Sequence, residues 1–237
     1  MIKISLLHPS WKRPQLAKHC YDDWMGSADY PDQVEYILSL CDKDSNFEGY
    51  KSIFKSVYHK IKGCILYKNG LIDQVNFAAK HSTGNLLIAI SDDFSCPEHW
   101  DTLLLNALEG KSDYLVKTRD GQQPWIVTLP IMDRVYYEAR GYIYHPSTKH
   151  MFCDTWITHE AHLMGKVIEL PYLFEHQHYT SGKNAKDEVN KENDASWNEG
   201  KLVYLEGLKN NFGVQNPLPI KLPKHHIDWL RSEGVIA

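Results

Sequence analysis

Residues 85–94 read Asn-Leu-Leu-Ile-Ala-Ile-Ser-Asp-Asp-Phe, an apolar run that stops on two adjacent carboxylates. An apolar run of about four to eight residues bounded by turn residues marks a strand buried on both faces, as in mainly parallel sheets covered by helices. In open sheets of that kind ligands bind in the crevice beyond the C-terminal strand ends. Asp92 and Asp93 fall at that edge, and paired carboxylates there suit a hard cation.

The flanking chain repeats the theme. Residues 2–7 form an apolar strand ending in a turn that carries Pro9, Trp11, Lys12, Arg13 and Pro14. Leu16, His19, Cys20, Asp23 and Trp24 follow at helical spacing over residues 15–25, and Gly26 stops them. Residues 34–41 are a second strand, closed by Asp42, Lys43 and Asp44, so strand, helix and strand make a βαβ unit with acids at its C-terminal edge. A short strand is expected around residues 64–67, and a helix from Asn69–Gly70 to His81. Gly84 is expected as its left-handed C-cap.

Downstream, Pro97 opens a helix that ends at Gly110, and residues 114–117 and 126–130 read as strands. Residues 133–145 suggest a helix passing into a strand. Asp154 stands at or near the N-cap of a helix running to about Met164, and residues 167–171 give another strand. The polar interval 180–198 is expected as a mobile loop or lid, followed by a helix from Trp197 to about Asn210 and a proline-bearing tail that folds back on the body. The class is α/β: a mixed, mainly parallel sheet flanked by helices, with a C-terminal helical extension. The expected division is a catalytic domain at 1–180, split near residue 95, and an appendage at 181–237.

Composition narrows the function. Hydrophobic residues at 43% and charged residues at 24% are ordinary globular values. A net charge of −4 gives no general basic footprint for nucleic acid. The 5 cysteines are widely spaced without a CxxC pair, which argues against a disulfide framework or zinc knuckle and for a reducing compartment. The N-terminal apolar run is too short for a signal peptide, and no stretch approaches the ~20 apolar residues that span a bilayer, so a cytoplasmic location is expected. His159-Glu160-Ala161-His162 is one residue short of the HExxH zinc motif, whose histidines need i, i+4 spacing. Trp125 offers a stacking face, and His225–His226 reads as solvated surface.

Three clusters of candidate ligands remain: Asp42 with Asp44, Asp92 with Asp93, and His176 with His178. Carboxylates suit Mg²⁺ or Mn²⁺, and Mn²⁺ also accepts imidazole. Across residues 1–179, Asn69–Gly70, Asn76, Ser82-Thr83-Gly84, the apolar strand and Ser91-Asp92-Asp93 follow one another in an order that resembles the family 2-like glycosyltransferases of the GT-A (Rossmann-like) fold. Asp154 at a helix start, with Gly165 after it, is similar to that family's Glu-Asp segment.

The resemblance implies a metal-dependent transferase moving a sugar from a nucleotide-sugar donor, UDP-linked by preference, to a hydroxyl acceptor such as a saccharide or a modified nucleobase. It puts Pro9, Trp11, Arg13, Asp42, Asp44, Asn76, Lys80, Ser91 and Asp92 on the donor side. Asp93 becomes the Mn²⁺ or Mg²⁺ ligand, completed by His176 or His178 with His178 preferred, and Asp154 the base of an inverting transfer. The sequence departs from the family at Ser91, where an Asp is usual, at Val75, where many members carry Arg, and at Cys153, which replaces Glu. No Gln-x-x-Arg-Trp motif is present, which argues against a processive synthase. The rivals are a sugar-phosphate nucleotidyltransferase and a non-catalytic nucleotide-sugar binding module. No protein partner can be inferred.

Overall fold

The computed structural model describes residues 3–66 and 70–236. Expectations resting on Met1, Ile2, Tyr67 and Asn69 lie outside the described residues. The first half runs β1 (Ile4–Pro9), α1 (Pro14–Gly26), β2 (Val34–Cys41), α2 (Phe47–Ile53), β3 (Ile61–Leu66), α3 (Leu71–Lys80), β4 (Leu86–Ala89) and β5 (Phe94–Ser95). The second half runs α4 (Trp100–Leu108), β6 (Leu115–Arg119), β7 (Ile131–Asp133), α5 (Arg134–Arg140), α6 (Cys153–Leu163), β8 (Val167–Leu173) and β9 (Glu175–His176). It closes with α7 (Glu188–Ala195), α8 (Trp197–Lys209) and α9 (Lys224–Ser232).

Seven strands form one sheet in the order β3-β2-β1-β4-β7-β6-β8. β1 to β4 are parallel, β7 is antiparallel to both its neighbours, and β6 pairs parallel with β8. Helices α1, α2 and α4 bury Trp24, Tyr50 and Trp100 against one face, while α3, α5 and α6 bury Val75, Tyr136 and Ile157 against the other. Successive side chains of a strand point to opposite faces. Leu87 therefore enters one core and Ile88 the other, which is why this strand is apolar at every position.

The C-terminal helices build a third core on the outer side of α6, where Phe152, Trp156 and Leu163 meet Tyr204, Phe212 and Leu230. Two glycines of α8 allow this approach. A Cβ on Gly200 would lie 2.2 Å from the Met151 carbonyl oxygen, and one on Gly207 would lie 2.4 Å from the Trp156 ring.

Four local expectations are corrected. Residues 126–130 are irregular: the Val127 N–H donates to Thr158 Oγ1 (2.8 Å), the Thr128 hydroxyl donates to Asp120, and the Pro130 carbonyl accepts from the Ala89 N–H (2.9 Å). Residues 142–144 form no strand either, since the Ile143 and Tyr144 N–H groups donate to Asn76 Oδ1. Gly84 has no left-handed backbone and does not cap α3, whose C-cap is His81. Its role is close approach: a Cβ there would lie 2.7 Å from the Ser5 backbone nitrogen, and its own N–H donates to Ser5 Oγ at 2.8 Å. The interval 180–198 contains α7, whose N-cap Asp187 makes a capping box with Asn190.

Candidate active site

The turn after β4 divides the labour between its two carboxylates. Asp92 points back under the sheet edge, where it accepts from His8 Nε2 (2.9 Å) and Ser10 Oγ (2.9 Å). His8 is buried, and a tautomer that donates from Nε2 and accepts from the Tyr36 hydroxyl at Nδ1 satisfies both ring nitrogens. Asp92 thus ties β1 to β4. Asp93 faces a cavity of about 450 Å³, which Arg13, Ser91, Asp154, His176 and His178 also line.

Distant chain reaches Asp93 through a two-stranded ribbon. β5 pairs antiparallel with β9, setting Phe94 opposite His176 with their rings stacked at 4.3 Å, and the Gln177 N–H donates to the Asp93 carbonyl (2.8 Å). His176 Nε2 lies 3.3 Å from Asp93 Oδ2, while Oδ1 accepts from Ser91 Oγ at 2.6 Å. Burial pushes the Asp93 carboxyl up. The hydrogen bond and charge of His176, with Ser91 and Arg13, outweigh it and hold Asp93 well below the usual carboxylate range. His178 is a neighbour, its ring 5.0 Å from that of His176, but its Nδ1 engages Thr180 Oγ1 at 2.8 Å.

Asp154 occupies the second position of α6, after a left-handed N-cap at Phe152 (φ 70°). Such a backbone costs a residue other than glycine roughly 1–3 kcal/mol and persists only where the surroundings dictate it. Here the C-terminal core does so: Phe152 packs on Trp197, Tyr204 and Trp229 at ring distances of 4.8, 5.7 and 5.6 Å. The extension thereby aims Asp154 into the cavity. Asp154 Oδ1 accepts from the Thr155 N–H (2.7 Å), whereas Oδ2 has no hydrogen bond among the described residues. Burial raises its carboxyl above the ordinary range against those Thr155 bonds. His150 lines the same cavity, and burial pushes its imidazole down to about 4, so the ring is neutral.

α7 walls the cavity on the side of the β1–α1 loop. Arg13 grips Asp187, Lys12 lies 2.7 Å from Glu192 and 3.4 Å from Glu188, and Trp11 Nε1 donates to Glu192 (3.1 Å). Pro9 ends β1, and Asp44 accepts from the Lys12 and Asn46 N–H groups (2.6 and 2.8 Å), so it fastens that loop rather than facing the cavity. Asp42 is exposed at the end of β2, outside the cavity lining.

Asn76 and Lys80, also expected on the donor side, stand outside the cavity lining as well. Asn76 spends its amide on the backbone of residues 143–144. Lys80 is exposed at the C-terminal end of α3, which returns the chain to the opposite edge of the sheet: the next carbonyl, of His81, accepts from Lys62 near the start of β3. The HExxH-like histidines are structural. His159 bonds the Tyr204 hydroxyl (2.8 Å), and Glu160 pairs with buried Arg140. Trp125 lies among His159, His162 and His226 instead of the cavity. Sequence reasoning missed His150, Trp197 and the left-handed Phe152; an aromatic at the start of the last long helix was the one visible signal.

The sheet order, the single reversed strand and the carboxylate turn beyond β4 define a GT-A-like glycosyltransferase fold. No protein-family model matches this sequence, and comparison with curated proteins finds no match. Among solved structures, the chain is similar to the mannosyltransferase PcManGT from Pyrobaculum calidifontis in complex with GDP-Man and Mn²⁺, with TM-score 0.58, 13% identity, and coverage of 98% of this chain and 79% of that one. It is also similar to S. aureus TarS residues 1–349 in complex with UDP-GlcNAc, with TM-score 0.63, 14% identity, and coverage of 98% and 71%. Against the longer S. aureus TarS chain the TM-score is 0.63 at 12% identity, with 98% of this chain and 42% of that one covered.

Proposed function

We propose that the protein is a glycosyltransferase that moves a sugar from a nucleotide-sugar donor, UDP-linked by preference, to a hydroxyl acceptor with inversion at the anomeric carbon. The observation that carries this reading is one cavity, lined by the Asp93–His176 pair and by Asp154, at the C-terminal edge of a GT-A-like sheet. Its volume of about 450 Å³ suits a small-molecule site.

The donor set is compatible with Mn²⁺ or Mg²⁺. Among the described residues no three His, Cys, Asp or Glu side chains converge to hold an ion alone. Asp93 Oδ2 and His176 Nε2 are 3.3 Å apart, near the roughly 3 Å expected of adjacent donors on an octahedral cation with bonds of about 2.1 Å. Donor phosphates would supply further ligands, with His178 a neighbour to the pair. Held by Asp93 and His176, such a cation would supply charge neutralisation for the nucleoside diphosphate leaving group.

Asp154 Oδ2 takes the proton of the acceptor hydroxyl as the hydroxyl oxygen bonds to the anomeric carbon and the bond from that carbon to the diphosphate oxygen breaks. Its raised carboxyl makes it a stronger base than an exposed aspartate once ionised. The α6 N-terminus and the aromatic packing of Phe152 keep its direction fixed.

The test is to incubate the protein with UDP- and GDP-linked sugars, Mn²⁺ and a panel of saccharide acceptors, following nucleoside diphosphate release and the anomer formed by NMR. A β-linked product from an α-linked donor supports the reading. Formation of nucleotidyl-phosphate products, or donor binding with no turnover at long incubation, would replace it with one of its rivals.

A further inference from the structure

The acceptor side of the cavity carries a pattern that the proposed transfer does not by itself explain. Trp197 is 46% exposed although it is a large aromatic, and it lines the cavity. Its ring is held edge-on to Phe152 at 4.8 Å, and Phe152 is the residue whose backbone aims Asp154. The close seat of Gly200 against Met151 anchors the same end of α8. The indole is thus held against Phe152, next to the helix start that carries the base, while the residue keeps nearly half its surface open. His150 makes no side-chain hydrogen bond among the described residues, which leaves a neutral ring with one donor and one acceptor nitrogen lining the cavity.

Charge argues for what sits there. Among the described residues the only Lys or Arg lining the cavity is Arg13, and Asp187 takes its guanidinium in a two-bond grip. The acids Asp93, Asp154 and Asp194 line the same space. With Asp194 already paired to Lys186 and any cation at Asp93 taken up by the donor diphosphate, a phosphate or carboxylate on the acceptor would face Asp154 with no unpaired Lys or Arg among the described lining residues, whereas an uncharged sugar offers C–H groups to an aromatic face and hydroxyls to a neutral imidazole.

We propose that Trp197 is the acceptor platform of this enzyme, stacking on the C–H face of an uncharged pyranose whose hydroxyl groups reach His150 and Asp154. The inference rests on the transferase reading for the role of Asp154. The platform itself is tested without turnover.

Saturation-transfer NMR would be recorded with methyl β-D-glucopyranoside, methyl β-D-galactopyranoside and, as the anionic comparison, glycerol 1-phosphate. We expect ring C–H saturation for at least one pyranoside and none for glycerol phosphate. Trp197→Leu, which keeps apolar packing on Phe152, should weaken the pyranoside signal about fivefold, and Trp197→Phe should retain most of it. Thermal unfolding of each variant shows that it folds. Equal signals in wild type and Trp197→Leu, no pyranoside signal at all, or a signal from glycerol phosphate in their place each overturn the platform. Calorimetry of the wild-type protein with UDP and GDP separates the two ideas: pyranoside binding without nucleotide binding removes the transferase reading and leaves the platform, and the reverse removes the platform alone.

Discussion

Arg13 closes on Asp187 through two hydrogen bonds, 2.7 Å from Nε and 2.6 Å from Nη2, and so joins the loop after β1 to the N-cap of α7. This fork geometry is the strongest form of side-chain pairing. It places an acidic helix against Lys12 and against Arg13, which the resemblance puts on the donor side. α7 is therefore a wall of the cavity joined to that loop by charge.

Asp187→Asn removes the charge and the N-cap carboxylate together. Limited proteolysis within residues 182–196 is expected to accelerate several-fold, while the melting point moves by the equivalent of no more than about 1 kcal/mol because the pair is partly exposed. An unchanged cleavage rate would show that α7 is held by something other than this pair.

Of the two histidines, geometry favours His176 as the partner of Asp93. Asp93→Asn and His176→Ala are each expected to weaken Mn²⁺-dependent UDP binding by at least about tenfold, and His178→Ala by less. Calorimetry with and without Mn²⁺ checks this. A larger loss from His178→Ala than from His176→Ala would reverse the assignment.

Asp154→Asn should leave nucleotide binding intact and stop transfer. Since burial raises the Asp154 carboxyl, kcat/KM should fall on acidification with a midpoint above the ordinary aspartate value of about 3.9, the base being lost as it protonates. An acid limb at or below that value, or normal turnover in the variant, contradicts its role as base.

The C-terminal core should be acid-sensitive. Burial holds His159 down to about 3 and His226 down to about 4, each joined to the Tyr204 hydroxyl at 2.8 Å, with His162 and His225 adding to the depression. The unfolded chain, with histidine near 6.5, binds more protons between that value and the folded ones. Stability is therefore complete above about pH 6.5 and declines as pH falls from there toward 4. Melting curves across that window measure it, and a His226→Gln variant should flatten the slope; an equal slope in the variant argues against the assignment.

Gly84→Ala would push a methyl group into the Ser5 backbone, at a cost of about 2 kcal/mol for overpacking. Denaturant midpoints report it. A neutral substitution would mean that β1 and the turn before β4 can separate without penalty.

Much of the fold was legible because burial on both faces leaves a plain signature. Residues 86–90 are apolar throughout and 34–41 at most positions since their side chains alternate between two cores, and α1, α4 and α8 carry helical spacing with recognisable ends. The failures share one cause. Residues 126–130 and 142–144 looked like strands, but Thr158 takes the Val127 N–H and Asn76 takes those of Ile143 and Tyr144, and local pattern cannot register a distant side chain. Residues 180–198 looked like loop because the faces of α7 are polar, and its partners Trp11, Lys12 and Arg13 come from the opposite end of the sequence.

The same division runs through the site. The sequence by itself determined that carboxylates end the central strand and that Asp154 begins a helix, because both follow from local patterning. Only the tertiary structure decided that Asp93 meets His176, that Asp92 is spent on His8 and Ser10, that Lys80 sits at the wrong edge, and that Trp197 rather than Trp125 stands at the cavity. These relationships depend on strand order and on how the C-terminal helices seat against α6. Such contacts are set by packing between segments far apart in the chain, and no spacing within one segment encodes them.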